Sequence, residues 1–120
     1  MAILFKALAD VSRLRILRAL MHRKLCVCEL TEFVELAYST VSEHLKVLSE
    51  AELVESEKSG TWVNYSLVEP GADDPRRILL DLVRHEGRMD PGWLSDLARL
   101  HEIDRRKILC QPALVISQKR

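Results

Sequence analysis

The spacing of apolar residues changes period near residue 53, and that change restricts the fold more than any other feature of the chain. Up to residue 48 the apolar positions recur at helical spacing: Leu14, Leu17, Leu20 and Met21, then Val27, Leu30 and Val34, then Val41, Leu45 and Leu48. Beyond it the period is two. Leu53 to Glu57 reads as one strand and Lys58-Ser59-Gly60 as a turn; Trp62 to Leu67 reads as a second strand with Val63, Tyr65 and Leu67 on one face. Helices followed by such a hairpin predict a mainly α chain with a small β-hairpin, the winged helix-turn-helix arrangement.

The flanks of this unit are helical too. Residues 2 to 8 carry Ile3, Leu4, Ala7 and Leu8, a helix too short to stand without a partner surface. Asp10 or Ser12 can cap the helix that follows, and a break at Glu35-Leu36-Ala37 precedes the fourth helix. Asp74-Pro75 and Asp90-Pro91 each place a capping acid before a proline at the first helical position. The helices they start carry Ile78, Leu79, Leu82 and Val83, then Leu94, Leu97, Ala98 and Leu100. These stripes and residues 2 to 8 exceed what a small winged helix buries internally, so the N- and C-terminal helices read as dimerisation helices of a homodimer. A self-contained C-terminal helical pair is the competing arrangement. Residues 1–110 form one domain in this reading, and residues 111–120 a flexible tail.

Composition narrows the function. The 120 residues are 48% hydrophobic, enough for one compact core, and 18 basic residues balance 18 acidic ones. Zero net charge is unusual for a nucleic-acid binder, although the distribution of charge matters more than its sum. The apolar run from Ala2 to Phe5 is too short for a signal peptide or a membrane helix, so the chain is expected in the cytoplasm with no membrane partner. In a reducing compartment its cysteines are free thiols or metal ligands before they are disulfide partners. The chain holds no HExxH, GxSxG or P-loop, and the thiol pair has no nearby histidine to activate it, so it is not expected to be an enzyme.

Two segments carry chemistry. On the fourth helix Ser39, Ser42, Glu43 and Lys46 form a polar stripe opposite the apolar one. Short hydrogen-bonding side chains there suit base edges and phosphates, although a merely solvated face has the same pattern. Ahead of the third helix stands Leu25-Cys26-Val27-Cys28-Glu29-Leu30. Two thiols at this spacing favour soft ions, yet positions i and i+2 of a regular helix lie about 200° apart and cannot share one ion. Either the first turn of that helix unwinds to bind, or the cysteines are small buried hydrophobes.

Four segments together resemble the ArsR family of metal- and metalloid-responsive repressors. Leu8-Ala9-Asp10 with Ser12-Arg13-Leu14-Arg15-Ile16-Leu17 is similar to its first signature. Ser39-Thr40-Val41-Ser42 with His44-Leu45-Lys46-Val47-Leu48 is similar to its recognition helix, and Gly60, Trp62-Val63 and Tyr65 to its wing. The cysteine segment resembles the box of the arsenic-responsive branch. The resemblance implies a homodimeric repressor on a palindromic double-stranded DNA operator, released when arsenite or antimonite binds; zinc or cadmium are further possible ions. It implies that Ser39, Thr40, Ser42, Glu43 and Lys46 face the major groove, with His44 on the flank, either packing or meeting a phosphate, and that Lys58, Ser59 and Thr61 touch the backbone. It implies Cys26 and Cys28 as ligands. Trivalent arsenic prefers three sulfurs, and Cys110 is the remaining protein thiol; a small cellular thiol is the other source.

The chain departs from the family pattern at Thr31, where a third cysteine often stands; at Glu43, where a basic or amide residue is common; at Glu52, where glycine usually ends the recognition helix; and in a wing that reads Glu55, Glu57 and Lys58. Asp81 and His85, with His101 and Asp104, are a second set for zinc between protomers, or else solvated side chains. The rival functions are a repressor sensing another soft ion or thiol oxidation, and a dimeric interaction module without operator binding.

Overall fold

The computed structural model describes residues 1–104; Cys110 and the tail expected at 111–120 lie outside the described residues. The order is α1 (Ala2–Leu8), α2 (Val11–Leu20), β1 (Leu25–Cys26), α3 (Val27–Val34), α4 (Tyr38–Glu50), β2 (Val54–Ser59), β3 (Trp62–Leu67), α5 (Pro75–Met89) and α6 (Pro91–Glu102). The expected winged helix is present: α3 and α4 form the helix-turn-helix, and β2 and β3 the wing.

The starts of α2, α5 and α6 follow from their first residues. Asp10 accepts from the Arg13 N–H at 3.1 Å, Asp74 from Arg76 at 2.9 Å and Asp90 from Gly92 at 2.9 Å. These bonds satisfy amides that have no partner inside the helix. The inward stripe of α4, Val41, Leu45 and Leu48, meets Ile16 and Leu17 of α2 and Leu30 and Phe33 of α3 in one buried core.

The ends of α3 and α4 use glutamates where glycine is the usual choice. Glu52 adopts φ 59°, the Leu53 N–H reaches Leu48 O at 3.0 Å, and the Glu52 N–H reaches Ser49 O at 2.9 Å. This is a Schellman ending built on a residue with a Cβ, which carries strain that glycine avoids. Glu35 ends α3 at φ 58° with its N–H on Thr31 O at 2.9 Å.

The wing differs from expectation in two respects. The β2 strand runs on to Ser59, which pairs with Trp62, leaving Gly60 and Thr61 as a two-residue loop. Gly60 sits at φ 61°, as the first position of a type II′ hairpin turn demands. A third strand also joins the sheet, whose order is β1-β3-β2: Leu25 pairs with Tyr65 and Cys26 with Asn64, antiparallel. Two residues show no alternation, so periodicity could not reveal β1.

The C-terminal stripes divide into two faces. Leu79, Leu80 and Val83 are buried, whereas Ile78 and Leu82 are 64% and 60% exposed. On α1, Ile3 and Phe5 are likewise exposed. Gly87, an unfavourable residue inside a helix, admits Arg18: a Cβ there would lie 3.0 Å from Arg18 Nε. Helix α6 is fastened to α2 and to the α3 end by arginines. Arg15 meets both carboxylate oxygens of Asp96 at 2.9 Å, and Arg99 reaches Glu35 at 2.8 Å and Glu32 O at 3.0 Å. Trp93 packs edge-on to Phe33. No helix among the described residues is long and apolar enough to cross a membrane.

Candidate nucleic-acid interface and thiol site

The outer face of α4 presents Ser39, Thr40, Glu43 and Lys46 to solvent, with Ser42 half-buried. Ala37 supplies no capping side chain, so the α4 start is a ready place for an oxygen acceptor such as a phosphate. His44 turns away from this face. Its ring is largely covered, with Nδ1 3.1 Å from Arg13 Nη1 and Nε2 4.0 Å from Asp10 Oδ1. Of the two roles open to it, the structure shows the packing one. Lys58, Ser59 and Thr61 are exposed at the wing tip. Lys58 and Ser59 stand on β2 and not in a turn.

The arginines that make the N-terminal half look basic are engaged in structure. Arg13 binds α1 carbonyls and His44, Arg15 binds Asp96, Arg18 binds Asp90 at 3.4 Å, and Arg23 binds Glu29 at 3.0 Å. Glu55 and Glu57 are exposed on β2. Among the described residues, Lys46 on α4 and Lys58 on the wing are the exposed Lys and Arg side chains of these two elements, beside the hydroxyls of Ser39, Thr40 and Ser42.

The two cysteines lie behind this face, each 1% exposed. Cys26 ends β1 and is the N-cap of α3, with φ −86° and ψ 167°. Cys28 lies in the first turn of α3. The Cys26 N–H donates to Glu29 Oε1 at 3.0 Å, one half of a capping box. The other half, the Glu29 N–H on the Cys26 sulfur, uses a weak acceptor. Glu29 is 3% exposed, and its second oxygen takes Arg23, which also donates to Leu100 O at 3.3 Å and Ile103 O at 2.8 Å. A chain of bonds therefore runs from Cys26 to the end of α6. Burial pushes the Cys26 thiol up, and the Glu29 carboxylate adds to that. At neutral pH Cys26 is a protonated, packed thiol.

Cys26 and Cys28 thus stand at one helix start, Cys26 as its N-cap and Cys28 in its first turn. Within one protomer His85 and His101 are exposed on α5 and α6, and Asp81 is engaged by Arg84 at 3.0 Å and Arg77 at 3.5 Å. Among the described residues no three His, Cys, Asp or Glu side chains cluster as a metal site. Sequence reasoning passed over Glu29, although its place three residues after an N-cap is a legible capping-box signal. It also passed over Arg13 and Arg23, whose partners are distant along the chain or backbone carbonyls.

The chain matches a family model described as "Bacterial regulatory protein, arsR family" over residues 10–56. It is 52% identical over 64 residues to the arsenical resistance operon repressor of Bacillus subtilis (strain 168), covering 52% of this chain and 61% of that one. It is 42% identical over 109 residues to the arsenic resistance transcriptional regulator ArsR1 of Pseudomonas putida, covering 87% of this chain and 80% of that one. HlyU from Vibrio cholerae N16961 is a structural neighbour at TM-score 0.61 and 32% identity, covering 71% of this chain and 88% of that one.

Proposed function

Because this chain belongs to the ArsR family of bacterial regulatory proteins, we propose that it is a cytoplasmic, homodimeric transcriptional repressor, released from a palindromic operator when arsenite or antimonite engages Cys26 and Cys28. Its relatives are regulators and not enzymes. One observation carries the inducer reading: Cys26 is at once the N-cap of α3 and the wing partner of Asn64. Drawing Cys26 and Cys28 onto one ion competes with their present places, Cys26 as the extended N-cap and Cys28 in the first turn of α3. Ligation must therefore loosen the Glu29 capping box and the start of the helix that precedes α4. Both sulfurs are buried, so binding requires local opening. An inducer acts only through its preference for the DNA-free state. Both arsenic-resistance relatives support the choice of metalloid. Cys110, outside the described residues, or a small cellular thiol would supply a third sulfur.

The experiment uses a duplex selected by this protein from a random-sequence pool. Release is followed over separate titrations of arsenite, antimonite, zinc and cadmium in reducing buffer, and of an ion-free oxidant. Release by arsenite or antimonite at the lowest concentration, lost in the Cys26→Ser/Cys28→Ser double variant, is the expected result. Release at unchanged arsenite concentration in that variant places sensing elsewhere. Failure to enrich any duplex whose binding weakens with salt would favour an interaction module instead.

A further inference from the structure

We propose that Arg13 is a positioning residue for DNA recognition, tying the C-terminal turn of α1 to His44 so that the setting of α4 follows the dimer face of α1. This rests on α4 being the reading helix and α1 a dimer helix. The Arg13 side chain is 14% exposed, and its guanidinium uses each of its nitrogens. Nε donates to Ala7 O at 2.7 Å, Nη2 to Lys6 O at 3.1 Å, and Nη1 to His44 Nδ1 at 3.1 Å. Asp10 completes the group: it caps the backbone N–H of Arg13 at 3.1 Å and lies 3.9 Å from Nη1.

The physical need is clear from α1. Its seven residues cannot form a stable helix alone, and its last carbonyls have no partner within it. Arg13 takes two of those carbonyls. The same side chain carries Ile3 and Phe5, exposed on α1, into mechanical register with α4. A planar guanidinium holds three directions at once, which a lysine ammonium on a flexible stem does not. His44 is covered and its Nδ1 is occupied, so its influence on DNA runs through where α4 sits and not through a phosphate.

The test measures binding to the selected duplex at several salt concentrations, and self-association by sedimentation, for the parent, Arg13→Lys, His44→Leu, their double variant and His44→Asn. Each of Arg13→Lys and His44→Leu is expected to weaken DNA binding about tenfold, and the double variant no further, because both break one link. The salt slope should stay at the parent's value. Arg13→Lys should also weaken self-association, and His44→Asn, whose amide oxygen can accept in place of Nδ1, should recover part of the loss. Losses that multiply in the double variant overturn the proposal. So does a salt slope lowered by about one, which marks a phosphate contact. Should Arg13→Lys fail to fold, His44→Leu and His44→Asn decide between themselves, since equal losses overturn the link. A parent that enriches no duplex removes the repressor reading as well; a parent that binds while the variants behave additively removes this proposal alone.

Discussion

Glu29 Oε1 lies 3.0 Å from the backbone N of Cys26, so the thiol that begins α3 is held in place by a buried carboxylate one turn ahead of it. Removing that carboxylate leaves the Cys26 amide without its acceptor and leaves Arg23 with only its Leu100 and Ile103 carbonyl partners. Glu29→Ala is expected to lower stability by about 1–3 kcal/mol. Glu29→Gln keeps an acceptor oxygen and loses only the ion pair, so it should lose less. Urea unfolding of the two variants beside the parent checks the order; equal midpoints for all three would show that the box contributes nothing.

The left-handed Glu52 points the other way. Its φ of 59° strains any residue with a Cβ, and the Leu53 and Glu52 amide bonds that close α4 need only the backbone. Glu52→Gly should therefore stabilise the fold by about 0.5–1 kcal/mol, the relief of strain exceeding the extra freedom of the unfolded chain. Glu52→Ala keeps the strain and should change little. Thermal unfolding of the pair settles the sign.

On the reading face, Lys46→Ala is expected to weaken binding to every sequence and lower the salt slope by about one unit. Glu43→Gln should alter which bases are preferred more than it alters overall affinity, because a carboxylate there can accept from cytosine and repels phosphate. Repeating the duplex selection with each variant reads both effects. Unchanged slope and unchanged preference would mean that this face does not meet DNA.

Homodimerisation is expected through the apolar side chains that α1 and α5 leave in solvent, with Ile78 at 64% and Leu82 at 60% exposure. Ile78→Asp with Leu82→Asp should give a folded monomer in light scattering and lose most operator affinity. A parent that is already monomeric at micromolar concentration would remove the dimer and the palindrome together.

Asp10 links stability to pH. Burial alone would raise its carboxyl, but the Arg13 N–H and the charges of His44 and Arg13 hold it below the ordinary 3.8. A depressed folded value means that the stabilisation is present above pH 3.8 and is lost as pH falls through the folded value. Asp10→Ala should cost about 1 kcal/mol at neutral pH, as a lost cap does. Its gap from the parent should narrow below about pH 4 in urea titrations at stepped pH.

Much of this was legible from short-range pattern. The α4 stripe of Val41, Leu45 and Leu48, the paired Asp-Pro starts at residues 74 and 90, and the end of α4 at a Glu52 that replaces the usual glycine are all local. Local chemistry dictates them. What escaped depended on partners far along the chain. The two residues of β1 are a strand only because Tyr65 and Asn64 lie beside them. The arginines at 13, 15 and 23 look like a basic surface in sequence. In the folded chain their distant targets are His44, Asp96 and the carbonyls of Leu100 and Ile103, and no periodicity announces such pairs. Helical spacing marked the α5 positions as apolar, but only packing separates inward Leu79 from outward Ile78.

The bond between Arg15 and Asp96 has a consequence for the living chain. A ribosome releases α2, α3 and α4 well before it reaches residue 96, and domains form in that order as synthesis proceeds. Until α6 emerges, Arg15 has no carboxylate there and the edge of Phe33 lacks Trp93. The reading head is thus born unfinished, with an apolar patch open to chaperones or to other nascent chains. A chain ended at Asp90 should show that state directly, as protease cleavage within α3 that the full-length protein resists.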